Sequence, residues 1–423
     1  MKNRILASLE NPNALEQLYR EDPEAFQNGL SAALKEEPKA LLLQAWQLRL
    51  EPGESTPAKS QTGPERSFPW PEFFMAIAVA FLAGTLAKLP QFFESINEAA
   101  FFTRHFGAII ASALVAFFCF QRKGSVKLIW TLSLSILAIV GYLNLLPAAE
   151  ESETAAWACA HGIFLLWSLV GLAFVRGNWR DLAGRMNFIR YNGELLIYST
   201  IMMIGGGVLT TITLGLFTLL DLKIEEWYFQ NVGVYGAISV PIIGSLLVTR
   251  VVTNRFRIAP LLAKIFTPLF LVMVTTYLIA MVANQRSPWQ DREFLIAFNA
   301  LLIVVLGLCV YSISERGSSD QLTLGDRLNI ALASMTLIVD VVALSAIIFR
   351  LSNYGFTPNR VTVLGANILA FCHLAGILFQ YVRFAKKKGT TEDLERIIVR
   401  FIPIYNLWGI IVMTLLPVLF GYK

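Results

Sequence analysis

Residues 330–349 read IALASMTLIVDVVALSAIIF, twenty residues interrupted by one charge, Asp340. A helix of that length rises about 30 Å, the thickness of a bilayer's hydrocarbon core. Runs of the same kind recur along the chain from Trp70 onward. They fall near 70–89, 102–120, 126–147, 155–175, 194–220, 232–252, 260–283, 294–313, 328–350, 360–381 and 401–420. The pattern predicts an all-α, polytopic membrane protein with about eleven transmembrane helices. The fifth run carries Gly205, Gly206 and Gly207, which predicts a tilted, kinked or broken span.

Composition agrees with that reading. Of 423 residues, 55% are hydrophobic and 15% are charged, against about 25% charged in an ordinary soluble domain. Mean hydropathy is +0.57. These values exclude a soluble globular enzyme and a disordered tail protein.

The net charge of +5 is a topology signal rather than a nucleic-acid one. Basic residues sit in short loops, not along one helix face as a phosphate-tracking stripe would. With the N-terminus in the cytoplasm, the expected cytoplasmic loops hold nineteen Lys and Arg. The expected outer segments hold eight. Cytoplasmic loops attract the excess of cations, so the N-terminus is predicted inside and the C-terminus outside. The expected outer loops are all short, so function is expected in the bundle or the N-terminal segment.

Ahead of the first span, residues 1–50 read as a cytosolic segment of short amphipathic helices. Asn11-Pro12 and Asp22-Pro23 each supply an N-cap followed by proline at the first helical position. Residues 51–69, EPGESTPAKSQTGPERSFP, read as a flexible linker. The polar start predicts no signal peptide. Residues 70–423 form the multi-span domain. The four cysteines, Cys119, Cys159, Cys309 and Cys372, lie in apolar runs and read as small buried side chains.

Motifs for chemistry are few. There is no Walker A sequence, GxGxxG, HExxH or metal-spaced Cys/His cluster, so no metal, cofactor or catalytic residue is assigned. Ionisable residues inside spans carry the argument, because each is expensive in hydrocarbon. Asp340 and His373 fall at similar depth on consecutive antiparallel spans, the spacing of a proton or ion relay or of an interhelical hydrogen bond. Glu194 reads as a cap at the start of span five, within reach of Arg185 or Arg190. His161 reads as a satisfied imidazole in span four. Asn144, Asn299, Asn367 and Asn406 read as interhelical hydrogen-bonding groups.

The connection between spans nine and ten, Arg350 to Arg360, reads RLSNYGFTPNR. Tyr354-Gly355 suits a tight turn, and Thr357-Pro358 suits a cap with proline behind it. Arg350, Tyr354 and Arg360 are candidate contacts for an anion or a lipid head group, since arginine grips carboxylate and phosphate with two parallel donors. Snorkelling to lipid phosphates is the alternative.

Arg350, Tyr354-Gly355-Phe356-Thr357 and Arg360 resemble the loop of a bacterial family of multi-pass membrane proteins, the domain-of-unknown-function 4153 family. The resemblance implies a bacterial cytoplasmic (inner) membrane and no established activity. It does not cover residues 1–50. Three functions are compatible with these residues: a proton-linked transporter or channel component for a small or amphiphilic anion; a membrane sensor or scaffold working through residues 1–50 and a cytosolic protein partner; and a lipid-modifying enzyme using Glu194 or Asp340. Membrane lipids are the expected surroundings, and no nucleic-acid partner is expected.

Overall fold

The computed structural model describes residues 1–9, 11–38, 40–50, 69–93, 95–218, 223–251, 259–283, 289, 292–316 and 321–423. The described part of the expected linker is Pro69 alone. Every described regular element is helical. The chain divides into two compact units, Met1–Pro69 and Trp70–Lys423.

The first unit contains α1 (Lys2–Leu6), α2 (Pro12–Glu21), α3 (Pro23–Glu36) and α4 (Leu41–Leu50). The two Asx-Pro signals work as expected. The Asn11 side chain accepts from the Ala14 amide at 3.2 Å, and that of Asp22 from the Ala25 amide at 3.0 Å. Ile5, Leu15, Phe26, Leu43 and Trp46 form its core, with the rings of Tyr19, Phe26 and Trp46 in mutual contact.

The second unit runs α5 (Trp70–Ala87), α6 (Leu89–Phe92), α7 (Glu98–Gln121), α8 (Val126–Leu145), α9 (Glu153–Phe174) and α10 (Leu182–Thr218). It continues through α11 (Glu225–Tyr228), α12 (Val234–Leu246), α13 (Ala259–Ala283), α14 (Arg292–Ser314), α15 (Leu324–Tyr354) and α16 (Pro358–Ala385), and ends with α17 (Thr391–Ile410) and α18 (Leu416–Leu419). Among the described residues, π-helical turns at Phe229–Gly233, Leu247–Val251 and Ile411–Leu415 interrupt the α-helical hydrogen bonding. Ten helical segments are long and apolar enough to cross a membrane among the described residues. The seventh expected run falls on α13, a helix of 25 residues. Large apolar side chains on the outside of the bundle, such as Phe81, Leu137, Val272 and Ile303, are exposed. A multi-pass helical bundle in lipid needs such a surface.

Local chemistry explains where the helices begin and end. Asn97, Ser125, Ser152, Thr323, Thr357 and Thr390 each cap the helix that follows with a side-chain oxygen. Three helices end on a cation with left-handed backbone: Lys123 after α7, Arg176 after α9 and Lys387 after α16. The next amide then bonds back into the final turn, as Gly124 does to Cys119 at 2.7 Å and Gly177 to Leu172 at 2.8 Å. The loop cations that set the predicted topology thus also complement the negative ends of helix dipoles.

Two expectations about the spans are corrected. α10 is one unbroken helix through the glycine run, and it begins at Leu182, twelve residues before the expected start. An Asp181 oxygen receives the Gly184 amide at 2.9 Å and supplies the early start. α17 begins ten residues early, because Thr390 and Asp393 form a reciprocal capping box ahead of an amphipathic first turn.

Contacts define two ends of the second unit. Arg250 pairs with Glu72, and Arg190 with Glu395, at the end that carries Lys123. Arg104 reaches the Leu146 and Pro147 carbonyls, and the Thr154 amide reaches the Lys423 carbonyl, at the end that carries Tyr354. The core has two main clusters, one among α5, α7, α9 and α12, the other among α13–α17.

Candidate functional site

The Arg350–Arg360 turn closes one wall of a cavity of about 510 Å³ at the Tyr354 end. Four helices contribute: α9 through Glu153 and Trp157, α14 through Asn299, α15 through Arg350, and α16 through Asn359 and Arg360. The turn has its shape because Gly355 takes φ +77° and ψ 176°, a region that side chains exclude. Thr357 then caps α16 by accepting from the Arg360 amide at 3.3 Å.

The two arginines are not equivalent. Arg360 donates through Nη1 to the carbonyls of Tyr354 at 2.8 Å and Gly355 at 2.7 Å. It therefore caps the C-terminus of α15, and its guanidinium lies over the Tyr354 ring. Arg350 has a buried Nη1 with no hydrogen-bond partner. The Oδ1 of Asn299, in the same cavity, is also buried and unpartnered. An unmatched donor and an unmatched acceptor thus lie along one cavity, where a buried polar group without a partner costs about 1–3 kcal/mol.

Asp340 lies ten residues before Arg350 on α15, about 15 Å deeper by helical rise. It is 1% exposed. Neither carboxyl oxygen has a hydrogen-bond partner. Thr336, one turn further along, is likewise buried with an unpartnered hydroxyl. α15 packs against α16, and counting from the Tyr354 turn puts His373 about level with Asp340. The structure does not join the two by a hydrogen bond. His373 is turned to α17, with Nδ1 3.0 Å from the Tyr405 hydroxyl and its ring parallel to Phe401 at 4.2 Å.

Other expected polar residues lie elsewhere in the bundle. Glu194 is buried well inside α10, so it is not the N-terminal cap; that place is taken by Asp181. Arg185 instead donates to the Val399 carbonyl at 2.9 Å, and Arg190 to Glu395 at 2.6 Å and the Ser314 carbonyl at 2.5 Å. The Nδ1 of His161 lies 2.9 Å from the Trp157 carbonyl. Asn406 accepts from Ser168 at 2.6 Å and ties α17 to α9, as expected of an interhelical group. Cys119, Cys159 and Cys309 are buried, but Cys372 is exposed on the outside of α16, contrary to its expected burial.

Sequence reasoning missed two features. Arg316 and Asp326 form an ion pair at 3.0 Å, with side chains 4% and 3% exposed. Arg316 also reaches the Thr391 hydroxyl at 2.7 Å, and so ties the end of α14 to the starts of α15 and α17. Asp326 had a signal, since Thr323 three residues before it is a capping box. The other feature is a second basic cavity, at the Lys123 end, of about 500 Å³. Its residues come from the turn after α7, the end of α9 and the loop that follows it, the start of α10 and the π turn Leu247–Val251, and no spacing in the sequence announces that convergence.

Among the described residues no group of three or more His, Cys, Asp or Glu is placed to hold a metal ion. Fold and site together define a polytopic helical membrane protein with an arginine-lined cavity at each end of its bundle. No protein family, no curated protein and no solved structure matches the chain. The resemblance drawn from the Arg350–Arg360 loop rests on those residues alone.

Proposed function

We propose that the chain is a membrane carrier or channel component that takes a small or amphiphilic anion at the Arg350 cavity and moves it with a proton carried by Asp340. The observation that carries this reading is the pair of unmatched buried groups on α15. Arg350 offers an unused donor in a cavity large enough for an organic anion, since small-molecule sites occupy about 300–1,000 Å³. Asp340 offers an unused carboxyl deeper on the same helix. Bilayers make unmatched ionisable groups costly, and such groups mark substrate and proton pathways. In this reading the membrane is a bacterial cytoplasmic membrane, with the Lys123 end in the cytoplasm and the Tyr354 end and C-terminus outside.

Proton uptake into proteoliposomes tests the proposal. The full-length protein should carry protons when an organic anion is supplied, and Asp340→Asn should abolish the flux while retaining its amount and thermal stability. Full flux in a folded Asp340→Asn protein would remove Asp340 from the mechanism.

A second reading has one observation in its favour. Residues 1–50 hold a core of their own, built on Phe26 and Trp46, as a module for a cytosolic partner would. If anion-dependent flux survives deletion of residues 1–60, signalling through that module is not what drives the bundle.

A further inference from the structure

The basic cavity at the Lys123 end has an excess of positive charge that the fold does not neutralise. Arg122, Arg176 and Arg190 line it, with Asp181 as its one carboxylate. The other acids nearby are already engaged. Arg190 is paired with Glu395 at 2.6 Å. Arg250, which acts on Arg122 from the side of the π turn, is paired with Glu72 at 2.6 Å. Asp181 holds the Gly184 amide at the start of α10.

Among the described residues Arg122 has no acidic partner. Its guanidinium carbon lies 3.7 Å from the centre of the Phe174 ring. Its Nε is buried without a hydrogen bond. Burial lowers the pKa of Arg122 from its ordinary value, and the neighbouring Arg250 and Arg176 push it the same way. An arginine stays charged through such a shift, so the residue is a half-buried cation held among other cations. Stacking on Phe174 occupies one face of the guanidinium and holds its plane in place. Its donor edge is thereby pre-organised for a planar or tetrahedral oxyanion. Asn187 lines the same cavity, its Oδ1 accepting from Arg190 at 3.1 Å, while the Thr249 hydroxyl is spent on the Ser245 carbonyl at 2.7 Å. With Arg190 neutralised by Glu395, Arg122 and Arg176 face one carboxylate, Asp181, and the cavity keeps a net positive charge suited to an anionic group.

We propose that this cavity binds a phosphate ester group, with Arg122 and Arg176 as its charged contacts. Its volume exceeds what a single ion needs and suits a phosphorylated head or small molecule. Two sources offer that chemistry: an anionic phospholipid of the adjoining leaflet, and a soluble phosphorylated compound. The site is separate from the Arg350 cavity and does not depend on the transport reading, because it is tested by binding rather than flux.

The test uses the full chain in two preparations. In nanodiscs of phosphatidylcholine alone, inorganic pyrophosphate is titrated and followed by calorimetry. In detergent, native mass spectrometry counts phosphatidylglycerol retained against phosphatidylcholine. Saturable pyrophosphate binding that weakens at least tenfold in Arg122→Gln supports a soluble ligand. Preferential retention of phosphatidylglycerol that disappears in Arg122→Gln supports a lipid. Arg176→Gln alters an exposed side chain and should weaken the same signal with folding intact, so the test survives a misfolded Arg122 variant. Binding of neither probe, or binding equal in wild type and in both folded variants, would overturn the proposal.

Discussion

The Nδ1 of His373 lies 3.0 Å from the Tyr405 hydroxyl, and the imidazole lies parallel to Phe401, so α16 and α17 share this histidine. Asp340 is therefore left without the partner that its depth on α15 suggests. Buried carboxyls without partners are costly, and a bundle selected for stability alone would place an apolar side chain there. Asp340→Leu should leave thermal stability in detergent unchanged or raise it by about 1–3 kcal/mol, while proton flux is lost. A large loss of stability in that variant would make Asp340 a structural residue.

The His373–Tyr405 contact should behave as ordinary interhelical glue. Tyr405→Phe removes the hydroxyl, and His373→Phe keeps a ring against Phe401. A double-mutant cycle of unfolding free energies should give a coupling of about 0.6 kcal/mol and no more than about 1.7, the range measured for such bonds in membranes. Proton flux unaffected by both single changes would confine the relay to Asp340.

Arg316 and Asp326 predict a contrasting result. Both are buried, and Arg316 also donates to the Gln321 carbonyl at 3.0 Å and lies over the Phe384 ring. Arg316→Met leaves Asp326 a buried, uncompensated charge and should cost about 3–5 kcal/mol. The double change Arg316→Met with Asp326→Leu should recover much of that loss. Chemical denaturation of the three proteins checks the order.

Glycines in the spans fall into two kinds. A Cβ at Gly365 would collide with the Trp408 indole, and one at Gly193 with the Tyr311 ring. Gly365→Ala should therefore lower stability by about 1–3 kcal/mol through overpacking between α16 and α17. At Gly205, Gly206 and Gly207 a Cβ meets open space. Gly206→Ala should raise the stability of α10 by up to about 1 kcal/mol. Thermal unfolding of both variants measures this difference.

The span pattern was legible because a thirty-ångström slab of hydrocarbon sets one length for every crossing helix. The N-terminal Asn11-Pro12 and Asp22-Pro23 starts were legible because caps act within four residues. Span five misled because glycine lowers helix propensity without breaking a helix when lipid and neighbours supply no competing bond. Glu194 misled because the helix began at a cap, Asp181, lying beyond the apolar run that marked the span. The cavity at Arg122 was hidden for a different reason. It joins residues from four segments between positions 122 and 249, and no local pattern encodes which helix ends meet.

The final prediction separates the two arginines that the sequence treats alike. Arg360 is engaged by the Tyr354 and Gly355 carbonyls, so its donors support the end of α15 and the positive-φ turn. Arg360→Ala leaves those carbonyls without their cap and should cost about 1.5–3 kcal/mol, the worth of hydrogen bonds to a charged group. Arg350 has a buried donor with no partner, so Arg350→Gln should lose little stability. Its loss should appear as weaker anion dependence of flux, by at least tenfold in the half-saturating concentration. If Arg360→Ala shifts the anion dependence and leaves unfolding unchanged, the roles assigned to the two residues are reversed. If Arg350→Gln leaves the anion dependence unchanged in a folded protein, the cavity at the Tyr354 end is not where the anion binds.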